Sequence, residues 1–144
     1  MSVDEEAVRA ANRAFYRAFE SLDLTRMAEV WADHDPQSCI HPDGSLAAGR
    51  DAVLGTWRTI FANTPQMSFE VQAERIEVSG DLAWVVCTEV LRASSSGGAP
   101  EGAVQATNVF RREAKGWKVV HHHASPFFLA ELPSPPRAAK GFLH

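Results

Sequence analysis

Apolar positions recur along this chain with two different periods, and the period changes once. Up to Asn63 the spacing is helical. Val8, Ala11, Phe15, Ala18, Phe19 and Leu22 fall on one face of a first helix, because residues three and four apart share a face. Ser2 or Asp4 caps that helix, and acidic residues occupy its first turn. Asp23 opens a short second helix with Met27, Val30 and Trp31 on its apolar side. The run from Asp33 to Pro36 ends it, since the residue before a proline resists the α conformation. Ser38 to His41 reads as a short strand stopped by Pro42, Asp43 and Gly44. A third helix starts at Gly49, carries Val53, Leu54, Trp57, Ile60 and Phe61, and closes between Asn63 and Pro65.

After Pro65 the period becomes two. Met67 to Val78 and Leu82 to Ala93 are strands around a turn at Ser79, Gly80 and Asp81, the second dense in β-branched and aromatic residues. Ser94 to Pro100 reads as a flexible loop. Two more strands then flank a hairpin loop at Glu113 to Gly116. On the last strand, alternation places Trp117, Val119, His121 and His123 on one face, and Lys118, Val120, His122 and Ala124 on the other. The expectation is that His121 and His123 line an inner wall while His122 faces outward. From Pro126 the period is lost and prolines follow at 133, 135 and 136. Residues 1–126 therefore form one domain, and 127–144 a proline-containing tail. Helices followed by a meander of long strands predict an α+β fold: three N-terminal helices packed in a strongly curved antiparallel sheet. Where the curled sheet and the helices fail to meet, a pocket remains.

Composition narrows the function classes. With 144 residues the chain holds one core of useful size. Fourteen basic and 18 acidic residues give a net charge of −4 without a basic stripe, which removes support for nucleic-acid binding. Cys39 and Cys87 lie far apart, each in an apolar run, as reduced buried thiols would. The acidic N-terminus lacks the apolar stretch of a signal peptide, and no run reaches membrane-spanning length. A soluble cytoplasmic domain is expected. No glycine-rich phosphate loop follows a strand, so neither a nucleotide nor another cofactor is expected.

Three segments resemble the SnoaL-like group of the nuclear transport factor 2-like superfamily: Cys39 to Gly44, Gly49 to Val53 with Trp57, and Thr107 to Phe110 with Gly116 to Ser125. The resemblance spans roughly residues 5–126. The final segment is also similar to the end of the calcium/calmodulin-dependent kinase II association domain, a non-enzymatic member. The resemblance implies a cone of curved sheet about helices with a cavity at one end, and a homodimer formed through the outer sheet face. It leaves function open, because the superfamily holds isomerases, dehydratases, cyclases, epoxide hydrolases and assembly domains. Ketosteroid isomerase carries its base immediately before a proline, and His41 stands there. Its helix-one tyrosine is matched by Phe15, which donates no hydrogen bond; Tyr16 is adjacent but about 100° round the helix. Its second oxyanion donor falls near Asn108, an amide that donates without a shifted pKa.

From the resemblance, His41, Asn108 and His123 are the candidate catalytic residues. Phe15, Tyr16, Trp31, Trp57, Phe61, Trp84, Phe110 and His121 are the candidate ligand-binding residues. Each also has a plainer reading: most of the aromatics as core, and the histidines as satisfied structural groups. A metal site from His41, His121 and His123 lacks a completing carboxylate or thiol, so no metal is expected. Glu89, alone in an apolar strand, is expected to pair with an arginine such as Arg111. Flat aromatic walls favour a small apolar, carbonyl-bearing ligand. The expected activity is isomerase, cyclase or dehydratase chemistry; the alternative is a ligand-sensing or association domain.

Overall fold

A computed structural model describes residues 2–92 and 100–127 of the chain. Of the tail expected at 127–144, residues 128–144 lie outside the described residues, as do residues 94–99 of the loop expected from Ser94 to Pro100; Pro100 and Phe127 themselves belong to strands. Three helices, α1 (Val3–Ser21), α2 (Leu24–Val30) and α3 (Arg50–Ala62), accompany six strands. The strands are β1 (Ser38–Ile40), β2 (Leu46–Ala48), β3 (Ser68–Ser79), β4 (Leu82–Arg92), β5 (Pro100–Glu113) and β6 (Gly116–Phe127). The fold is α+β, as expected. β2 is an addition: it pairs antiparallel with β1 across a turn at Pro42 to Ser45, too short to show a period in sequence. β6 also runs through Pro126 to Phe127, one residue past the predicted domain edge. Pro126 is partnered with Val104.

Local chemistry accounts for the element ends. Ser2 and Glu5 form a reciprocal capping box on α1, worth about 1 kcal/mol. Asp23 accepts from the backbone N–H of Thr25 and Arg26 to start α2. The first backbone N–H of α3, at Arg50, is capped from a distance by Asp35 Oδ1 at 2.8 Å. Gly49 precedes it at φ 92°, a conformation that favours glycine.

The sheet order is β2-β1-β6-β5-β4-β3, with β1 parallel to β6 and every other pair antiparallel. The helices cover its inner face. Phe15 and Phe19 of α1 meet Trp57 of α3 edge to face, with ring centroids 5.7 and 4.7 Å apart. Inner-facing Ala83, Val85 and Cys87 of β4, and Ala106 and Phe110 of β5, complete the core.

The pairing is irregular at three places; one lies at the start of β5, between the partners of Leu91 and Arg92, and the other two decide which side chains face the interior. In β3, Ala73 adopts φ 56° and two residues oppose one partner, a bulge between Gln72 and Arg75. In β6, His121 pairs with Val109 but Val119 pairs with Phe110, so Val120 is an extra residue. The bulge reverses every side chain beyond it. Trp117 and Val119 face inward, and then so do His122 and Ala124. The expected inner placement of His121 and His123 is thus corrected: His123 is exposed, His121 half-buried outside, and His122 lies 1% exposed within. Trp84 is likewise corrected from pocket to outer face, where it is 40% exposed. β4 has no bulge, and its inner positions are odd-numbered.

Candidate functional site

β1 ends one residue short of the site. Cys39 is buried, and His41, two residues on, shares its inward face. His41 lines a cleft of about 410 Å³ between the β1–β2 turn and α3, together with Pro42, Asp43, Leu46, Thr56 and Ile60. Its Nε2 lies 2.9 Å from Thr56 Oγ1. The Thr56 hydroxyl already donates to the Val53 carbonyl at 2.6 Å. Its oxygen therefore accepts from His41 Nε2–H, and the lone pair of the neutral ring sits on Nδ1. Burial lowers the pKa of His41, against the opposing charge of Asp43. At neutral pH the ring is an uncharged base.

Behind His41 lies a buried polar network. The ring of His41 meets Trp57 edge-on at 4.7 Å and His122 at 5.9 Å between centroids. His122 Nδ1 is 2.6 Å from Asn108 Oδ1. Asn108 Nδ2 donates to Asn12 Oδ1 at 2.8 Å and to the Tyr16 hydroxyl at 3.2 Å. Tyr16 donates to Glu89 at 2.5 Å. Asn12 Nδ2 donates to Glu74 at 3.0 Å, and Arg9 holds Glu74 at 2.8 Å. Both bulges serve this network, since each turns a polar side chain, Glu74 or His122, inward. Burial raises Glu89 to about 7, with the Tyr16 hydrogen bond opposing. Burial, and then the charge of Glu89, pushes the Tyr16 phenol well above its ordinary value.

The network revises several expectations. Glu89 pairs with Tyr16, whereas Arg111 pairs with Glu113 at 2.6 Å. The two sit far apart along their strands: Arg111 opposes Leu82, and Glu89 opposes Val104. Tyr16, not Phe15, brings a phenol to Asn108; both side chains are buried despite their angular separation. Asn108 is fully buried, and both its amide hydrogens are engaged, leaving neither for an oxyanion. Trp57 and Phe15 pack beside His122, while Trp31 and Phe110 are fully buried core residues. Phe61 is half-buried against Phe19 and Trp57. His121 hydrogen-bonds Ser38 at 2.7 Å outside, with its ring 6.2 Å from that of His123. Among the described residues no three His, Cys, Asp or Glu side chains cluster as a metal site. None of the described helices is long and apolar enough to cross a membrane.

The sequence model of the SnoaL-like domain matches residues 8–130. The chain belongs to the SnoaL-like family. A crystal structure of a candidate dehydratase from the NTF2-like family of Streptomyces avermitilis is 39% identical, covering 88% of this chain and 97% of that one at TM-score 0.78. A candidate calcium/calmodulin-dependent protein kinase type II association domain from Thiobacillus denitrificans is 41% identical, covering 83% and 94% at TM-score 0.77. F-box protein SKIP8 of Arabidopsis thaliana is 30% identical over 119 residues, 83% of this chain. The SnoaL-like chain spans about half (49%) of that relative's length.

Proposed function

We propose that this SnoaL-like domain binds a small apolar carbonyl compound in the cleft beside His41 and moves a proton on it, as a cofactor-independent isomerase, cyclase or dehydratase. The observation that carries the reading is the state of His41: Nε2 tied to Thr56, ring neutral, and placed on an open cleft. An imidazole so held is a base ready at neutral pH. The likeness to a candidate dehydratase supports the same class. The buried free thiols of Cys39 and Cys87 suit a reducing compartment such as the cytoplasm.

Solvent-deuterium exchange at the α-carbon of a panel of apolar cyclic ketones tests the proposal. His41→Ala is expected to lower exchange by roughly 100-fold or more, with little change in melting temperature. Because the pKa of His41 is lowered, exchange by the native protein should persist below the ordinary histidine value of 6.5 and fall only at more acid pH. Equal exchange by native protein and variant would remove His41 from the chemistry.

A second reading, a non-catalytic association domain, draws on a different surface. Leu82, Trp84 and Val86 form an exposed apolar strip on the outer sheet face. We propose that two copies associate through that face.

A further inference from the structure

The bulge that turns His122 inward also sets His121 and His123 side by side on the outer face of β6. Residues two apart on a strand share a face, and these two rings stand 6.2 Å apart between centroids. His41 lines the inner cleft and takes no part.

His121 is tethered through one ring nitrogen. Its Nδ1 lies 2.7 Å from the hydroxyl of Ser38, its cross-strand neighbour on β1. Nε2 has no hydrogen-bond partner among the described residues. His123 is exposed, and among the described residues its ring meets only that of His121. The other cross-strand neighbours of the pair are Ile40, Thr107 and Val109, so no basic side chain stands beside it to repel a cation. Burial, and then the charge of His123, lower the pKa of His121. That favours the neutral imidazole a metal requires.

A ligating imidazole is commonly oriented by a hydrogen bond through its other nitrogen. Ser38 supplies such a bond: its hydroxyl oxygen accepts from Nδ1–H, and the lone pair is then on Nε2. An ion about 2.1 Å from each nitrogen sits about 3.2 Å from each ring centre, so two rings sharing it are at most about 6.4 Å apart. The observed spacing falls inside that limit, and His123, untethered, can turn to close the chelate.

We propose that His121 and His123 chelate a divalent late transition ion, zinc, nickel or copper, on the outer face of the sheet. Imidazole nitrogens suit these ions and not magnesium or calcium. Among the described residues no third His, Cys, Asp or Glu joins the pair. Water or an external ligand therefore fills the rest of the coordination sphere, as at an open site. Ser38 is the positioning residue.

The test is titration of the whole chain, without an affinity tag, with zinc(II). Calorimetry and the nitrogen-15 signals of the histidine rings follow it. One ion per chain should bind and move the His121 and His123 signals together, while His34, exposed and away from the pair, stays in place. His121→Gln or His123→Gln should each weaken binding by roughly tenfold or more, because a chelate becomes a single imidazole. Ser38→Ala keeps both imidazoles and should still cost roughly tenfold, with Ser38→Thr restoring the affinity. Magnesium should leave every signal unchanged. Native affinity in the His121→Gln, His123→Gln double variant, or the two rings responding at different zinc concentrations, would overturn the chelate. None of these readouts involves turnover, so the fate of proton transfer by His41 is decided separately.

Discussion

Glu89 and His122, the buried carboxyl and imidazole of this interior, are pushed by burial in opposite directions. The pKa of Glu89 rises from 4.5 to about 7, and that of His122 falls well below 6.5. Both changes favour the neutral forms, and their effects on stability have opposite sign. As pH rises from 4.5 to 7, the unfolded chain releases the Glu89 proton that the folded chain keeps, so Glu89 lowers stability with rising pH. Below 6.5 the unfolded chain protonates the imidazole that the folded chain holds neutral, so His122 lowers stability with falling pH. Between 4.5 and 6.5 the two slopes oppose each other. Glu89→Gln keeps an acceptor for the Tyr16 hydroxyl and removes one slope. Its stability minus that of the native protein should grow from near zero at pH 4.5 to about 3 kcal/mol at pH 8, because each tenfold change in proton affinity is worth about 1.36 kcal/mol. Urea unfolding at several pH values measures the difference. A difference that stays constant with pH would mean Glu89 ionises in the folded protein as it does in water.

At the scale of elements, periodicity was legible and its interruptions were not. The helical spacing of Val8, Phe15 and Phe19, and the alternation within β4, follow from burying one face, and the structure places those residues on the core side. His41 was legible through its place before Pro42, at the end of a strand. The bulges were hidden, because neither Ala73 nor Val120 is a glycine or other residue that marks one. One extra residue then exchanged the faces of His121, His122 and His123. A strand with three adjacent histidines gives no compositional clue to which one is inside. Partner choice was equally hidden, and the buried pairing of Glu89 with Tyr16 spans 73 positions. The bulge makes a specific prediction. Deleting Val120 restores strict alternation while keeping Val119 and His122 inward, so the variant should fold and retain the His122–Asn108 hydrogen bond. Deleting Lys118 instead shifts Trp117 against its inner position. Thermal melts should show a loss of about 1–3 kcal/mol for the first deletion, and a larger loss or no folding for the second. Equal losses would count against Val120 as the extra residue.

For the molecule as a whole, the two faces of one sheet separate the two functional readings. The inner face carries the cleft and His41; the outer face carries Leu82, Trp84 and Val86, at 48, 40 and 37% exposure. Trp84 sits between Glu77 and Val109 on neighbouring strands, away from either sheet edge. In a two-fold association each residue of such a strip acts twice, once from each copy. Trp84→Glu exchanges an aromatic anchor for a charge in both subunits. With about 2 kcal/mol lost per anchor, the dissociation constant should rise by roughly a thousandfold. Sedimentation at micromolar protein should then show monomers where the native protein gives dimers, with the circular dichroism spectrum unchanged. Because Trp84 contacts neither His41 nor the interior network, ketone exchange should survive in the monomer, and His41→Ala should remain dimeric. If exchange disappears with the dimer, the cleft depends on the second copy and the faces are not independent. A native protein already monomeric at these concentrations would remove the association reading and leave the inner face as the seat of function.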